Sequence, residues 1–261
     1  MEPKKLKIIL LATDSLSTRI LYHKINSNFI IKNVILEKKI NIKYIIKNRY
    51  KKVGLLKLLD QLLFILFINT LLKYFSNSRK NNILNDNKFN SQAIELDKII
   101  NVKSVNSIET INLLKDANSD IIIINGTRIL SKNFLYNTSA KVINIHAGIT
   151  PYFRGVHGAY WAFVNKKKSL AGVTLHFVDS GIDTGNIISQ ALINKNRVDN
   201  FSTYPLLQLN EGIKLLEEFL FNTSYGNTTK PKTITSTLIS KQWYHPGFFE
   251  YIIYRILYGV K

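Results

Sequence analysis

The stretch KLKIILLATDSLSTRILYHKINSNFIIKNVILE, Lys5 to Glu37, decides the fold class. Lys5 to Ala12 is a short apolar run that ends in small and polar residues, which reads as a buried strand. From Asp14 onward the apolar residues fall at helical spacing, with Ser15 positioned as the N-cap. Ile30 to Glu37 reads as a second strand. Strand, helix, strand in that order implies parallel strands joined by a crossover, and therefore an α/β sheet. The opening run is not read as a secretory signal, because its apolar part is too short and too soon interrupted.

The alternation resumes further along. Residues 97–102 (DKIINV) read as a strand, 107–118 (SIETINLLKDAN) as a helix and 120–125 (DIIIIN) as a strand. A short helix at 131–139 leads to a strand at 141–148 (KVINIHAG). A helix at 157–166 and strands at 171–179 and 185–193 follow. Residues 202–222 form a long helix with apolar spacing at Leu206, Leu209, Ile213, Leu216 and Leu220. The tail, 225–261, mixes short strands with an aromatic helix. The expected architecture is a Rossmann-like, mostly parallel sheet with helices on both faces.

Between the two α/β blocks lie three segments of different character. Lys38 to Lys52 (KKINIKYIIKNRYKK) is basic. Val53 to Phe75 (VGLLKLLDQLLFILFINTLLKYF) is strongly apolar but interrupted by Lys57, Asp60, Gln61 and Asn69. A bilayer core needs about 20 predominantly apolar residues, so a buried or partner-facing amphipathic helix is favoured over a span. A basic segment beside an apolar helix also suits peripheral contact with an anionic membrane surface. Ser76 to Gln92 is polar and aperiodic and reads as a loop. We therefore expect a domain at 1–222 with a helical insertion at about 38–92, and an extension at 223–261.

The chain has 261 residues, 46% of them hydrophobic and 20% charged, which suits a folded domain with a substantial core. It has no cysteine, which excludes disulfides and thiolate metal sites. That is compatible with a cytoplasmic protein. No histidine cluster has metal spacing and no phosphate-binding loop of the Walker kind is present, so no metal is expected. The formal net charge of +19 points either to a generally basic surface or to attraction for anionic substrates, lipid or nucleic acid.

Three polar groups carry the chemistry. Asn144 and His146 alternate with Ile143 and Ile145, so on a strand they share one face. They lie at the C-terminal end of an expected parallel strand, where open α/β sheets place their ligand crevice. Pro151 and Gly155 stop regular structure just beyond. A later Gly-punctuated loop, FVDSGIDTGNII, brings Asp179 and Asp183. A carboxylate beside an imidazole fixes its tautomer and stabilises its cation, and a neighbouring amide donates to a developing oxyanion. Asn, His and Asp without Ser or Cys suit attack by an external nucleophile on a carbonyl, with no covalent intermediate on the protein.

The pair NIHAGITPYFRG and GVTLHFVDSGIDTGNIISQ resembles the folate-dependent formyltransferases, a family that includes phosphoribosylglycinamide, methionyl-tRNA and sugar-nucleotide formyltransferases and formyltetrahydrofolate hydrolases. The family pattern falls here on Asn144, His146, Pro151, Gly155, Asp179, Gly181, Asp183 and Gly185. The resemblance covers about 120–193. It implies a Rossmann-like fold and 10-formyltetrahydrofolate as formyl donor. It implies that His146 polarises the formyl oxygen, that Asn144 donates to the same oxygen, and that Asp183 holds the histidine's charge and helps take the amine's proton. The segment NGTRILSKNFL resembles the family's pterin-lining loop and puts Gly126, Arg128, Ile129 and Leu130 beside the donor. Main-chain groups of Asp179, Gly181 and Ile182 complete that pocket.

The acceptor is read mainly by elimination. The phosphoribosylglycinamide enzymes carry a Gly-Ser-Gly-type loop after the first strand; here LATDSLSTR has no glycine. Ser15 and Arg19 remain as candidates to hold an anion. The 78 residues after Asp183 (261 minus 183) leave little room for the barrel domain with which the methionyl-tRNA enzymes grip tRNA, so a nucleic-acid partner is disfavoured. A phosphorylated small-molecule amine, an amino-sugar nucleotide, is the favoured acceptor. Phosphoribosylglycinamide is the alternative, and a non-catalytic basic binding protein on the same fold is a further one. His157 reads equally as an acceptor contact or a cap residue. His176, two residues from Thr174 on a strand, reads as structural, and His23 and His245 are assigned no role.

Overall fold

Along the first strand, Ile8, Leu10 and Ala12 enter one apolar cluster and Ile9 and Leu11 another. That division follows from the two-residue period of a strand and means that both faces of the sheet are covered. The computed structural model describes residues 2–227 and 240–261. Its elements, in chain order, are β1 Ile8–Ala12, α1 Leu16–Asn26, β2 Ile31–Glu37, α2 Ile42–Leu63, α3 Thr70–Phe75, α4 Asn77–Asp86 and β3 Ile99–Val102. There follow α5 Ile108–Ala117, β4 Ile121–Asn125, α6 Lys132–Tyr136, β5 Lys141–His146, β6 Phe153–Gly155, α7 Gly158–Val164, β7 Gly172–Phe177 and β8 Ile187–Leu192. The chain closes with α8 Tyr204–Ser224, β9 Lys241–Trp243 and α9 Phe248–Tyr258.

Seven strands form one sheet in the order β3-β2-β1-β4-β5-β7-β8. The first five run parallel, and β7 and β8 are antiparallel to their neighbours. One face is covered by α1 and α8. On α8, Leu206, Leu209, Ile213, Leu216 and Leu220 are all buried against it, and each such side chain contributes roughly 1.5–3 kcal/mol. The other face is covered by Ile111 and Leu114 of α5 and Phe134 of α6. Ser15, Ser107 and Ser131 cap α1, α5 and α6 by accepting from main-chain N–H groups of the first turn. The mostly parallel, doubly covered α/β sheet expected from the sequence is the sheet observed.

A third cluster is separate from the two that cover the sheet. It gathers Phe64, Tyr160, Trp161, Phe201 and Tyr251 from the insertion, α7, the approach to α8, and α9. The insertion and the C-terminal extension therefore pack on each other and on the loop that follows β5. The short strand β9 pairs in parallel with β6, joining Phe153 to Lys241 and Gly155 to Trp243.

Two expectations are corrected. Residues 76–92 contain helix α4, where a loop was expected. Its sequence is poor in helix formers, but Ile83 is buried and Arg79 donates two hydrogen bonds to the buried carboxylate of Asp199, at 2.8 and 3.1 Å. Tertiary contacts thus override a weak local propensity. The segment around Gly155, expected to stop regular structure, carries β6, because a partner strand nearly ninety residues away supplies the ladder. The basic stretch from Lys38 enters α2 at Ile42, with a break at Gly54 (φ 78°). The short strands expected in the tail fall partly at 228–239, outside the described residues.

Candidate active site

β5 ends with Asn144 and His146 side by side on one face, and β7 runs antiparallel to it with Asn144 opposite His176 and His146 opposite Thr174. Directly opposed residues of an antiparallel pair project to the same face, so the register brings His176 against Asn144. The Asn144 amide Nδ2 lies 3.2 Å from His176 Nε2. His176 Nδ1 lies 2.7 Å from the Phe177 carbonyl, which can only accept. Nδ1 therefore carries the proton, and Nε2 is free to accept from Asn144. Burial favours this neutral form by lowering the His176 pKa; the bond to Phe177 and the Asp183 charge offset it in part. His176, read as structural from the sequence, is thus a member of the site. The signal that could have found it was its strand parity with Thr174, given the right register.

Asp183 reaches the same cavity from the loop after β7. Its Oδ1 is 3.2 Å from His146 Nδ1 and 3.8 Å from His176 Nε2. Its Oδ2 accepts from the Gly155 main-chain N–H at 2.9 Å. Asp183 holds a left-handed backbone (φ 52°), a conformation that persists where surrounding contacts over-determine it. Those contacts are on both sides: Arg154 donates to the Ile182 carbonyl at 3.1 Å, and Asp179 accepts from Gly181 N and Thr184 Oγ1 to close the turn. Burial alone would raise the Asp183 pKa. The hydrogen bond and charge of His146, the Gly155 N–H and His176 outweigh it and hold the carboxyl below its ordinary value.

His146 is buried, and its Nε2 donates to the Phe153 carbonyl at 2.7 Å. Both ring nitrogens thus face groups that only accept, the Phe153 carbonyl and the Asp183 carboxylate. A proton on either nitrogen therefore finds an acceptor. Gly155 makes this clamp possible. Its φ of 92° is a glycine conformation, and a Cβ there would collide with the Trp243 carbonyl of β9. Thr174 holds the intervening loop, donating to Gly148 O at 2.8 Å and accepting from Thr150 N at 3.1 Å.

These groups open on a cavity of about 350 Å³, within the range of small-molecule sites. The cavity brings together Asn144, His146 and Asp183 with Gly126, Arg128, Ile129 and Leu130 from the loop after β4, and Asp179, Gly181 and Ile182 from the loop after β7. The Arg128 guanidinium pairs with the buried Glu37 at 2.6 Å, and the Arg128 main-chain N–H donates to the same carboxylate at 3.0 Å. Ser15, Arg19 and His157 do not line this cavity. The Ser15 hydroxyl caps α1, and Arg19 is paired with Asp14 at 3.0 Å.

His157 sits at the start of α7 with φ 59° and makes no side-chain cap bond. Its ring stacks on Phe201 at 4.2 Å between centroids, and its Nε2 is 3.0 Å from His245 Nδ1. Burial first, and His245 second, press the His157 pKa well below its ordinary value. Burial, then the charges of Arg49 and Lys73, bring His245 down to about 4. Both rings stay neutral in the fold where the unfolded chain takes up protons. Their contribution to stability is therefore complete above the unfolded value of 6.5 and is lost as pH falls toward 4. Thermal unfolding followed by circular dichroism should show Tm dropping through that window. The drop should be shallower in His245→Gln, and an unchanged slope would contradict this reading.

A second cavity, of about 440 Å³, lies at the C-terminal ends of β2 and β3 and carries Lys38, Lys39 and Lys103 beside Asp14. Glu37 lines this cavity and pairs with Arg128, which lines the first.

The family described as formyl transferase matches residues 75–204. The methionyl-tRNA formyltransferase of Finegoldia magna is 31% identical over 123 residues, covering 44% of this chain and 38% of the relative. That of Kosmotoga olearia is 35% identical over 125 residues, covering 48% and 40%. The chain thus spans about two fifths of the length of these relatives. Among solved structures, a phosphoribosylglycinamide formyltransferase from Anaplasma phagocytophilum superposes with a TM-score of 0.56 at 20% identity, covering 91% of this chain and 98% of that one. A likely sugar N-formyltransferase from Mycobacterium tuberculosis gives 0.55 at 14% identity, covering 91% and 75%.

Proposed function

Through residues 75–204 the chain belongs to the formyl transferase family, and from that premise we propose that it moves a formyl group from 10-formyltetrahydrofolate to a primary amine. The observation that carries the reading is the convergence of Asn144, His146, Asp183 and His176 on one cavity. The donor's flat heterocycle suits the walls formed by Ile129, Leu130 and Ile182, with main-chain groups of 126–130 and 179–182 to meet its polar edge. 10-Formyltetrahydrofolate would supply the formyl carbon: the acceptor's nitrogen would add to it, and the donor's C–N bond would then break, its nitrogen leaving with the proton that the amine gives up.

The residues divide the work as follows. The Asn144 amide gives one hydrogen to His176 and keeps the second for the oxygen on which negative charge develops. His146 lies beside that oxygen; to donate directly, its Nε2–H must exchange the Phe153 carbonyl for the substrate. Asp183 orients the His146 ring and accepts the proton released by the attacking amine, directly or through one water. His176 is a positioning residue, acting through Asn144. His176→Phe should lower kcat about tenfold with little change in KM for the donor, because it frees the amide to rotate. Steady-state kinetics would check this, and an unchanged kcat would remove His176 from the account.

For the acceptor, we infer an amino sugar linked to a nucleotide. The lysine-bearing cavity at the ends of β2 and β3 supports it, because a diphosphate there would meet Lys38, Lys39 and Lys103. The test is a ranking of kcat/KM across nucleotide-linked amino sugars, phosphoribosylglycinamide and methionyl-tRNA. A ranking led by either of the last two would overturn the inference about the acceptor while leaving formyl transfer intact.

A further inference from the structure

The helical insertion has two faces of different chemistry. On α2 and its continuation through a π-helical turn, Phe64–Asn69, into α3, every polar interruption from Lys57 to Gln61 is engaged by the folded body. Lys57 pairs with Glu250 at 3.0 Å, Asp60 accepts from the Phe249 N–H at 3.1 Å, and Gln61 donates to the His245 carbonyl at 2.7 Å. Leu58, Gln61 and Phe64 are buried on that side. The opposite side is apolar and open: Leu56 (84% exposed), Leu59, Leu63, Phe67, Leu71 and Phe75 recur at helical spacing. Helix α9 packs beside α2 and adds an exposed stripe of its own, Phe249, Ile253, Ile256 (75% exposed) and Leu257.

The free charge around this apolar surface is mainly positive, since Asp60 and Glu250 are both engaged with Lys57. Residues 38–75 hold nine Lys or Arg and one acidic residue, Asp60, which is already engaged. Lys43, Lys47 and Lys51 fall on one helical face at i, i+4 and i+8. All three are exposed and make no ion pair among the described residues. Apolar side chains flanked by unpaired lysines are the chemistry of a helix that lies in the headgroup region of an anionic bilayer.

We propose that α2, α3 and α9 form a docking surface for an anionic lipid bilayer, and that the protein rests on the membrane peripherally. Ile42–Phe75 is long and apolar enough to cross a membrane. Two observations favour lying on it. The helix is broken at Gly54, and its inner face is committed to the aromatic cluster that also holds Tyr160 and Tyr251. A span would strip Lys57, Asp60 and Gln61 of their partners and leave them in hydrocarbon. The proposal does not depend on the reaction catalysed.

The test is co-sedimentation of the full-length protein with vesicles of phosphatidylcholine, alone or mixed with phosphatidylglycerol. Binding is expected to the mixed vesicles, to weaken as salt is raised, and to be reversed by alkaline carbonate without detergent. The triple variant Lys43→Glu, Lys47→Glu, Lys51→Glu should lower affinity for mixed vesicles by at least about a hundredfold, since each lysine is worth about fivefold. The variant Leu56→Ser, Phe67→Ser changes side chains that are exposed in the free protein. It should bind less while keeping its Tm. The proposal is overturned by no binding to mixed vesicles at low salt, or by undiminished binding of both variants. A requirement for detergent would show a span instead. Self-association that Leu56→Ser abolishes, without vesicle binding, would assign the surface to a second copy of the chain.

Discussion

Replacing His146 with alanine is expected to lower formyl transfer by about a thousandfold or more while the protein stays folded. The size follows from what the ring does. In the proposed reaction it is the ring nearest the oxygen on which charge develops, held in place by Asp183 at 3.2 Å and the Phe153 carbonyl at 2.7 Å. Removing a preorganised donor or charge from such a position costs about 10²–10³ in kcat, and loss of an acid–base partner about 10²–10⁴. The stability effect should be small, about 1–2 kcal/mol, because the ring borders a cavity from which water can reach both abandoned acceptors. Thermal unfolding and single-turnover kinetics on the same sample separate the two. Transfer within tenfold of the parent enzyme would remove His146 from the mechanism.

Asp183→Asn is expected to be nearly as damaging, by about 10²–10⁴ in kcat. The amide is close to the carboxylate in shape, so its oxygen can still accept from Gly155 N–H. What disappears is the negative charge that, in the proposed mechanism, orients His146 and accepts the amine's proton. The variant should also lose a component of pH-dependent stability. The Asp183 carboxyl is held below its ordinary value of 3.8 in the fold. Its stabilising contribution is therefore present above that pH and lost as pH falls through the folded value. In Asp183→Asn that acid-side step should vanish from a plot of Tm against pH. A variant with unchanged kcat would show that the amine's proton leaves by another route.

The β-α-β start was legible because strand and helix periodicities are local properties. Lys5 to Glu37 needed no distant partner to be read, and neither did the buried stripe on α8. Asn144, His146 and Asp183 were legible as a group because two separated blocks carry the family's pattern; Asn-x-His alone is a weak signal. What escaped the sequence depends on contacts far along the chain. Helix α4 is an Asn-rich segment fixed by the Arg79–Asp199 pair. Strand β6 exists because β9 reaches back to it. His176 joined the site only once the β5–β7 register was known. Arg128 shows the converse case: its placement at the cavity wall follows the expected loop, but its charge is spent on Glu37. Ser15 and Arg19 are likewise occupied by a cap and an ion pair, and the acceptor proposal rests instead on the lysines at the ends of β2 and β3.

The glycines and the extension acquire a shared purpose. Gly155 donates to Asp183, follows the residue whose carbonyl begins the clamp on His146 two positions earlier, and lies under the Trp243 carbonyl. The C-terminal residues that pair with β6 therefore buttress the triad directly, and the apolar insertion buttresses them in turn through Gln61 and His245.

The central claim is that Asn144, His146 and Asp183 form a folate-dependent formyl-transfer centre. The most direct measurement is tetrahydrofolate release from 10-formyltetrahydrofolate in the presence of an amine panel, with the N-formyl product identified by mass. The account predicts equal amounts of tetrahydrofolate and formylated amine with the native protein, and neither above background with His146→Ala. Absence of both 10-formyltetrahydrofolate binding and tetrahydrofolate release with every amine tested would contradict it.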